Sequence, residues 1–172
     1  MRRAHTSSRP DETQAILRHW REAVPDDRLA HLVKDTARAF VKSLQRRLVR
    51  HGLSFGHWTF LRILWERDGL TQAELSVEAG VMEPTTFAAL KAMAARGYIE
   101  RRQVLGNRKK VYVHLTSKGR RLKRVLVPEA EAVNSAAVRG MTAADLKTTR
   151  VVLLAIIGNL AAEDAEHTGH QP

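Results

Sequence analysis

The chain has 172 residues and a mass of 19.3 kDa, which fits one compact domain or a small domain with long helical extensions. Lys and Arg number 29 against 18 Asp and Glu, so the net charge is +11 and nucleic acid is the first partner to consider. Hydrophobic residues make up 44% of the chain, and no apolar run approaches the roughly 20 residues that cross a bilayer. The lack of cysteine excludes disulfides and thiol redox sensing. No apolar leader follows Met1, so we expect a cytoplasmic protein.

The N-terminal part of the chain predicts a tail and then a long helix. We expect residues 1–26 to form a flexible tail with a short helix from about Thr13 to Ala23, which Pro25 ends. From Asp27 to Arg50, apolar residues recur at spacings of three and four, the period of one helix face. We therefore expect residues 27–52 to form a long amphipathic helix.

The next segment predicts three helices with local start and stop signals. Ser54 caps a helix that ends at Asp68-Gly69. Thr71 and Glu74 have the spacing of a capping box, so a short helix begins there and turns at Gly80. Pro84 suits the first turn of the following helix, which ends at Arg96-Gly97.

A basic hairpin follows these helices. The runs Tyr98–Arg102 and Val111–Leu115 are rich in β-branched and aromatic residues and lie on either side of the turn Gly106-Asn107. From Arg96 to Arg124 there are eleven Lys or Arg and one acid, Glu100, so most of the net charge lies in and beside the hairpin. Positive charge segregated in this way is typical of a surface that faces DNA.

The C-terminal part predicts two more helices. Thr116 caps one that runs to about Val138, and Thr142 with Asp145 opens another. The last helix is too apolar to face water, with Val151, Val152, Leu153, Leu154, Ile156, Ile157 and Leu160 in close succession. The same surface of a second subunit is the economical cover. We expect a homodimer built from residues 27–52 and 117–163, with 164–172 as a flexible tail.

Two short helices joined by a Gly turn and followed by a basic hairpin indicate a winged helix-turn-helix over residues 53–116. The predicted fold is mainly α with a small β-hairpin wing and long N- and C-terminal dimerisation helices.

Four segments carry a resemblance to the MarR family of bacterial transcription regulators. They are Leu70–Leu75, Gly80–Thr85, Ala95–Arg101 and Leu115–Arg120, in the order and spacing of that family. The resemblance covers roughly Arg28 to Glu163. It implies a homodimeric repressor or activator that binds a pseudo-palindromic operator and is released by a small organic anion, commonly an aromatic acid or its thioester conjugate. At the wing tip the family usually has Asp before Arg, whereas this chain has Asn107, which can cap the turn but cannot hold a neighbouring arginine by charge.

The expected DNA contacts lie on the two short helices joined by the Gly80 turn and on the wing. In the helix with Pro84 in its first turn, helical spacing predicts that Thr86, Ala89, Leu90 and Met93 are core. The predicted DNA-binding residues are Thr71, Gln72, Glu83, Thr85, Phe87, Ala88, Lys91, Arg102, Asn107, Arg108, Lys109 and Lys110. Arginine at a wing tip suits a narrow A·T minor groove, while lysines contact phosphates. A solvated charge run is the alternative for the wing tip.

Two residues of the helix face have open alternatives. Phe87 either presses on a thymine methyl or folds back into the core. Glu83 either accepts a hydrogen bond from a cytosine amino group or compensates the positive end of the helix dipole.

We expect the small-molecule effector to bind beside His57 and Trp58, near the start of the helix that Ser54 caps. The alternative is that these two residues only pack in the core. His167 and His170 lack further ligands, so we predict no metal site, and no cofactor is expected. No nucleophile elbow, Gly-rich phosphate loop or HExxH pattern indicates an enzyme. A sequence-indifferent architectural DNA-binding protein remains the alternative function, since the charge would suit it equally.

Overall fold

A computed structural model describes residues 12–22, 29–104 and 107–168, with the side chains at 12, 104, 107–110 and 168 outside the described part. These residues form seven helices and three strands. The elements are α1 (Glu12–Glu22), α2 (Leu29–Val49), α3 (Phe55–Glu66), β1 (Leu70–Thr71), α4 (Gln72–Ala79), α5 (Glu83–Ala95), β2 (Ile99–Val104), β3 (Asn107–Leu115), α6 (Ser117–Ala137) and α7 (Ala143–Thr168). The predicted fold class, mainly α with a small β wing, is confirmed. The chain divides into two compact units, one up to Val133 and one from Asn134 onward.

Local capping interactions set the helix starts, as the sequence predicts. The Thr71 hydroxyl accepts from the N–H of Glu74 at 3.3 Å, and the Glu74 carboxylate accepts from the N–H of Thr71 at 2.7 Å. Thr142 and Asp145 form the same reciprocal pair at the start of α7, at 3.1 and 2.9 Å. Ser54 caps α3, with the His57 ring in the position that Glu usually occupies in a capping box.

The sheet has three antiparallel strands in the order β1-β3-β2. Only the hairpin was predicted from the sequence. Two residues, Leu70 and Thr71, are too few to show a strand pattern, and they become a strand only because β3 supplies partners in Val113 and Tyr112. The hairpin strands are longer than predicted, so Asn107 lies in β3 opposite Val104 rather than in the turn. The remaining predicted turn residue, Gly106, lies outside the described residues.

The core of the first unit is built from five helices and the sheet. It contains the end of α2, most of α3, one side each of α4 and α5, the inner face of the sheet and the first part of α6. Fully buried side chains from these elements are Leu48, Leu61, Leu64, Leu75, Leu90, Met93, Val113 and Leu126. The ends of α2 and α6 therefore pack into the core of the winged helix-turn-helix.

In the second unit, α7 continues to Thr168, so the predicted boundary at 163 is too early. Ala161, Ala162 and Ala165 favour helix there, and Nδ1 of His167 bonds the carbonyl oxygen of Glu163 at 2.8 Å. Positions 169–172 of the predicted tail, like most of residues 1–26, lie outside the described residues. No helix in the described part of the chain is long and apolar enough to cross a membrane.

Candidate nucleic-acid interface

Helix α5 has one buried face and one exposed face. Thr86, Leu90 and Met93 are fully buried, and Ala89 is half-buried, as predicted from helical spacing. The opposite face is open to solvent, with Glu83, Thr85, Phe87, Ala88 and Lys91 exposed. The prediction of which residues face outward is confirmed. Contact of those residues with DNA stays a prediction.

A buried polar contact fixes α5 against α4. The hydroxyl oxygens of Ser76 and Thr86 lie 2.8 Å apart, and Ser76 also donates to the carbonyl oxygen of Gln72 at 2.9 Å. Between the helices, Gly80 adopts the left-handed conformation (φ +63°) that ends α4. The exposed face of α5 is thus held at a set angle to α4.

Two apolar side chains, Val77 on α4 and Met82 at the N-cap of α5, are exposed and were not among the predicted site residues. Val77 is 82% exposed and Met82 is 76% exposed. Apolar residues on either side of the Gly80 turn were the available signal. In a helix-turn-helix this turn lies beside the recognition helix, so these side chains enlarge the apolar part of the candidate interface.

At the start of α4, the predicted contacts Thr71 and Gln72 take part in interactions within the protein. The Thr71 hydroxyl is used in the capping box with Glu74. The Gln72 side chain is half-buried, and its Oε1 accepts a hydrogen bond from Arg101 at 3.4 Å. These contacts leave Gln72 at the edge of the interface, where it connects α4 to strand β2.

Phe87 does not fold into the core. Its side chain is 47% exposed, and Cζ of Arg101 lies over its ring, 5.2 Å from the centroid. The core alternative for Phe87 is therefore excluded. Arg101 belongs to the interface although the sequence analysis counted it only toward the net charge. The available signal was its place in β2, two residues after the buried Ile99 and hence on the same face of the sheet.

The predicted wing residues lie on the hairpin. Arg102 is exposed and pairs with Glu100, two residues earlier on the same face of β2. Asn107, Arg108, Lys109 and Lys110 begin β3, and their side chains lie outside the described part. The backbone thus brings the four to one end of the hairpin, and their DNA contacts stay predictions.

Asp68, between α3 and β1, links the end of β3 to α6. Its carboxylate accepts hydrogen bonds from the N–H of Leu115 at 2.8 Å, from Arg120 at 2.8 Å and from the N–H of Gly69 at 3.1 Å. Partial burial acts to raise the pKa of Asp68, but these hydrogen bonds and the Arg120 charge outweigh it and lower the pKa below its ordinary value. Arg120 is consequently partly neutralised and contributes less than its formal charge to the basic surface.

The predicted effector residues are buried. Nδ1 of His57 accepts from the N–H of Ser54 at 3.3 Å, and the ring of Trp58 packs edge-to-face on Trp65 with centroids 5.7 Å apart. Burial, followed by the charge of Arg96, lowers the pKa of His57, which keeps the ring neutral at pH 7. These two residues form part of the core, and a ligand beside them would have to displace packed side chains.

An open groove of about 310 Å³ lies on α2, lined by Ser43, Arg46, Arg47 and Arg50. Arg47 and Arg50 also bond Glu129 of α6, at 3.0 and 3.3 Å. Hydrogen bonds from Arg47 and then from His51 lower the pKa of Glu129, so the carboxylate stays charged. Three arginines against this one carboxylate still leave a net positive charge at the groove, which is chemically suited to an anion.

Among residues 12–22, 29–104 and 107–168, no group of three or more His, Asp or Glu could hold a metal ion. His167 bonds the backbone of its own helix, and His170 lies outside the described residues.

The fold and the exposed helix face beside a basic hairpin define a winged helix-turn-helix protein. Comparison with known proteins agrees, since a family model described as the MarR family matches residues 53–111. The transcriptional regulator TtmR of Methylorubrum extorquens is 31% identical over 98 residues, which cover 57% of this chain and 50% of TtmR. The match thus spans half the length of this relative.

Two solved structures extend the likeness over most of the chain. The transcriptional regulator PA3341 is 30% identical, with a TM-score of 0.68, covering 77% of this chain and 98% of that one. A MarR family regulator from Listeria monocytogenes, crystallised with a 26mer DNA, has a TM-score of 0.71 at 22% identity and covers 85% and 97%. The chain belongs to the MarR family. Its named relatives are regulators rather than enzymes, which confirms the prediction that it is not an enzyme.

Proposed function

We propose that this protein regulates transcription in the cytoplasm as a homodimer that covers a pseudo-palindromic operator, most simply as a repressor. The exposed face of α5 beside the basic hairpin carries this proposal. On that face, residues able to meet base edges stand clear of the core, while Ser76 and Thr86 fix the helix from behind. The DNA bound to the Listeria structure supports the same use of the fold here.

The direct experiment is to select fragments of the source genome that the protein retains. We expect one recurring, two-fold symmetric sequence, bound about 10³-fold or more tightly than shuffled DNA at the same salt concentration. Equal affinity for selected and shuffled DNA would instead favour the architectural protein, since the net charge of +11 serves either function.

The wing provides a finer test. Arg108→Ala should weaken binding to the selected sequence by about 1–3 kcal/mol, because a specific contact is lost. Lys110→Ala should weaken binding to all sequences alike and lower the salt slope by about one unit, as expected for a phosphate contact. Unchanged affinity in the Arg108 variant would show that the wing does not enter a groove.

The dimer proposal is supported by exposed apolar side chains on α7. In the single chain Ile157 is 63% exposed and Leu154 is 54% exposed. A continuous apolar surface of this kind is typical of a protein–protein interface. Light scattering should report twice the mass of 19.3 kDa. Ile157→Glu should shift the mass toward the monomer, whereas Asn159→Glu, which adds the same charge at a polar position of the same helix, should leave the dimer intact.

We also propose that a small organic anion, an aromatic carboxylate or its thioester, releases the protein from DNA. Such a ligand shifts the DNA-competent population only by its difference in affinity between two dimer conformations. The chain offers two locations: the interior beside His57 and Trp58, and the arginine-lined groove on α2.

Titration of aromatic carboxylates, with tryptophan fluorescence and DNA release as readouts, tests both locations. Loss of both signals in His57→Ala/Trp58→Ala, with Arg46→Ala unaffected, assigns the interior site. The opposite result assigns the groove. If both variants still release DNA on binding, neither location holds the effector.

A further inference from the structure

Arg101 and Phe87 come from different elements and meet on the exposed side of α5. Phe87 is the fifth residue of α5, and Arg101 is the third residue of β2. The guanidinium lies over the aromatic ring at 5.2 Å from the centroid, and its Nη2 also donates to Gln72 Oε1 at 3.4 Å. Side chains from α4 and α5 therefore both contact this arginine of β2. The three side chains are polar or solvent-exposed, so apolar burial does not explain the contact.

The strand register explains why this arginine, unlike its neighbour, reaches α5. Arg101 pairs with Val113, which in turn pairs with Leu70, and both of these partners are buried. Directly opposed residues in a sheet point to the same face, so Arg101 starts on the face that the helices cover. Arg102 starts on the other face, where it pairs with Glu100.

The contacts leave the guanidinium oriented and still able to bind. Arginine has five N–H donors in a planar fork, and the hydrogen bond to Gln72 uses a single nitrogen, Nη2. Stacking on the Phe87 ring restricts the side chain without using any donor. An arginine whose side chain is already restricted loses less conformational entropy when it binds. The remaining N–H groups of its guanidinium can donate two parallel hydrogen bonds to two neighbouring acceptor atoms.

We infer that Arg101 and Phe87 together read a thymine–guanine step of the operator, with Phe87 on the thymine methyl and Arg101 on guanine O6 and N7. An exposed aromatic ring gains nothing from a phosphate, but it gains contact with a thymine methyl in the major groove. When Phe87 meets a thymine methyl, an arginine held against its ring lies at the same depth as the base edges. The 5.2 Å between the two groups falls between one and two base-pair rises, each roughly 3.4 Å, so the groups can address adjacent base pairs.

This inference rests on the proposed function, and its test uses the full chain with the DNA sequence obtained by selection. Arg101→Lys keeps the charge but loses the two-bond fork. Phe87→Leu keeps an apolar side chain but loses the ring that restrains the arginine. Arg62→Ala is the matched charge control, since Arg62 lies on α3 and its ion pair is with Glu66 in the next turn. Each variant is assayed on selected DNA, on shuffled DNA and on DNA with single base changes, at several salt concentrations.

We expect Arg101→Lys to bind selected DNA about 10- to 100-fold more weakly, the range of one lost bidentate base contact, with little change on shuffled DNA. Its preference for guanine at one position should disappear. Phe87→Leu should relax the preference at that guanine and at the neighbouring thymine. Arg62→Ala should retain both preferences.

Two results overturn the inference while the proposed function stands. One is wild-type affinity and base preference in Arg101→Lys. The other is a variant Arg101→Ala that binds selected and shuffled DNA more weakly by the same factor, with a salt slope lower by about one unit, which identifies a phosphate contact. A wild-type protein without any sequence preference overturns the proposed function, and base reading fails with it. Unchanged circular dichroism and thermal unfolding confirm that each variant is folded.

Discussion

The buried hydrogen bond between Ser76 and Thr86 should stabilise the helix-turn-helix by an amount that a double-mutant cycle can measure. The Ser76 hydroxyl donates to the Thr86 hydroxyl oxygen at 2.8 Å across the two helices, and the Gln72 carbonyl oxygen at 2.9 Å is its alternative acceptor. Thr86 can itself donate to the carbonyl oxygen of Met82, but the separation is 3.5 Å, at the limit of a hydrogen bond.

The two single variants should consequently differ. Ser76→Ala leaves the Thr86 hydroxyl, which is 0% exposed, without a good hydrogen-bond partner, and should cost about 1–3 kcal/mol. Thr86→Val replaces the hydroxyl by a methyl group while Ser76 keeps its bond to Gln72, and should cost only about 0.5–1.5 kcal/mol. In the double variant no unsatisfied hydroxyl remains, so the two costs should fall short of additivity by about 1 kcal/mol.

Urea denaturation at one fixed protein concentration gives the free energy of unfolding, since dissociation of a dimer would otherwise add to it. In thermal unfolding each kcal/mol should appear as a shift of about 2–4 °C for a chain of this length. Strictly additive losses, or a Ser76→Ala protein as stable as the wild type, would refute the reasoning and show that the contact between α4 and α5 is held by apolar packing alone.

Two further predictions concern the lobe. A Cβ at Gly119 would overlap the carbonyl oxygen of Tyr98, so Gly119→Ala should lower the free energy of unfolding by at least about 1–3 kcal/mol, measured by urea denaturation. In the control Gly56→Ala the nearest atom is 3.8 Å away, and stability should hold or rise by up to about 1 kcal/mol. The lowered pKa of Asp68 means that its stabilising contribution is present above the pKa of the unfolded carboxyl and is lost as pH falls through the folded value. Asp68→Asn should thus be less stable than the wild type at pH 7, and the difference should shrink below about pH 4. A gap that stays constant over this range would contradict the assignment.

Helix boundaries were predictable because their causes are local. The capping pairs Thr71 with Glu74 and Thr142 with Asp145 lie within four consecutive residues, so the sequence shows both partners together. The same holds for the buried face of α5, which follows from the helical period alone. The end of α7 was missed because alanines continue a helix without marking its last residue.

Sequence alone also determined the class of the protein, because the order of helices, Gly turn and basic hairpin along the chain can be predicted from local patterns. Only the tertiary structure decided which side chains meet. Strand β1 exists because Val113 and Tyr112 lie opposite it, and Gly119 must be glycine because the Tyr98 carbonyl oxygen packs on it. Arg101 meets Phe87 because the pairing register of a distant strand sets the face from which it projects. Such contacts join residues far apart in the chain, and no local spacing encodes the register that brings them together.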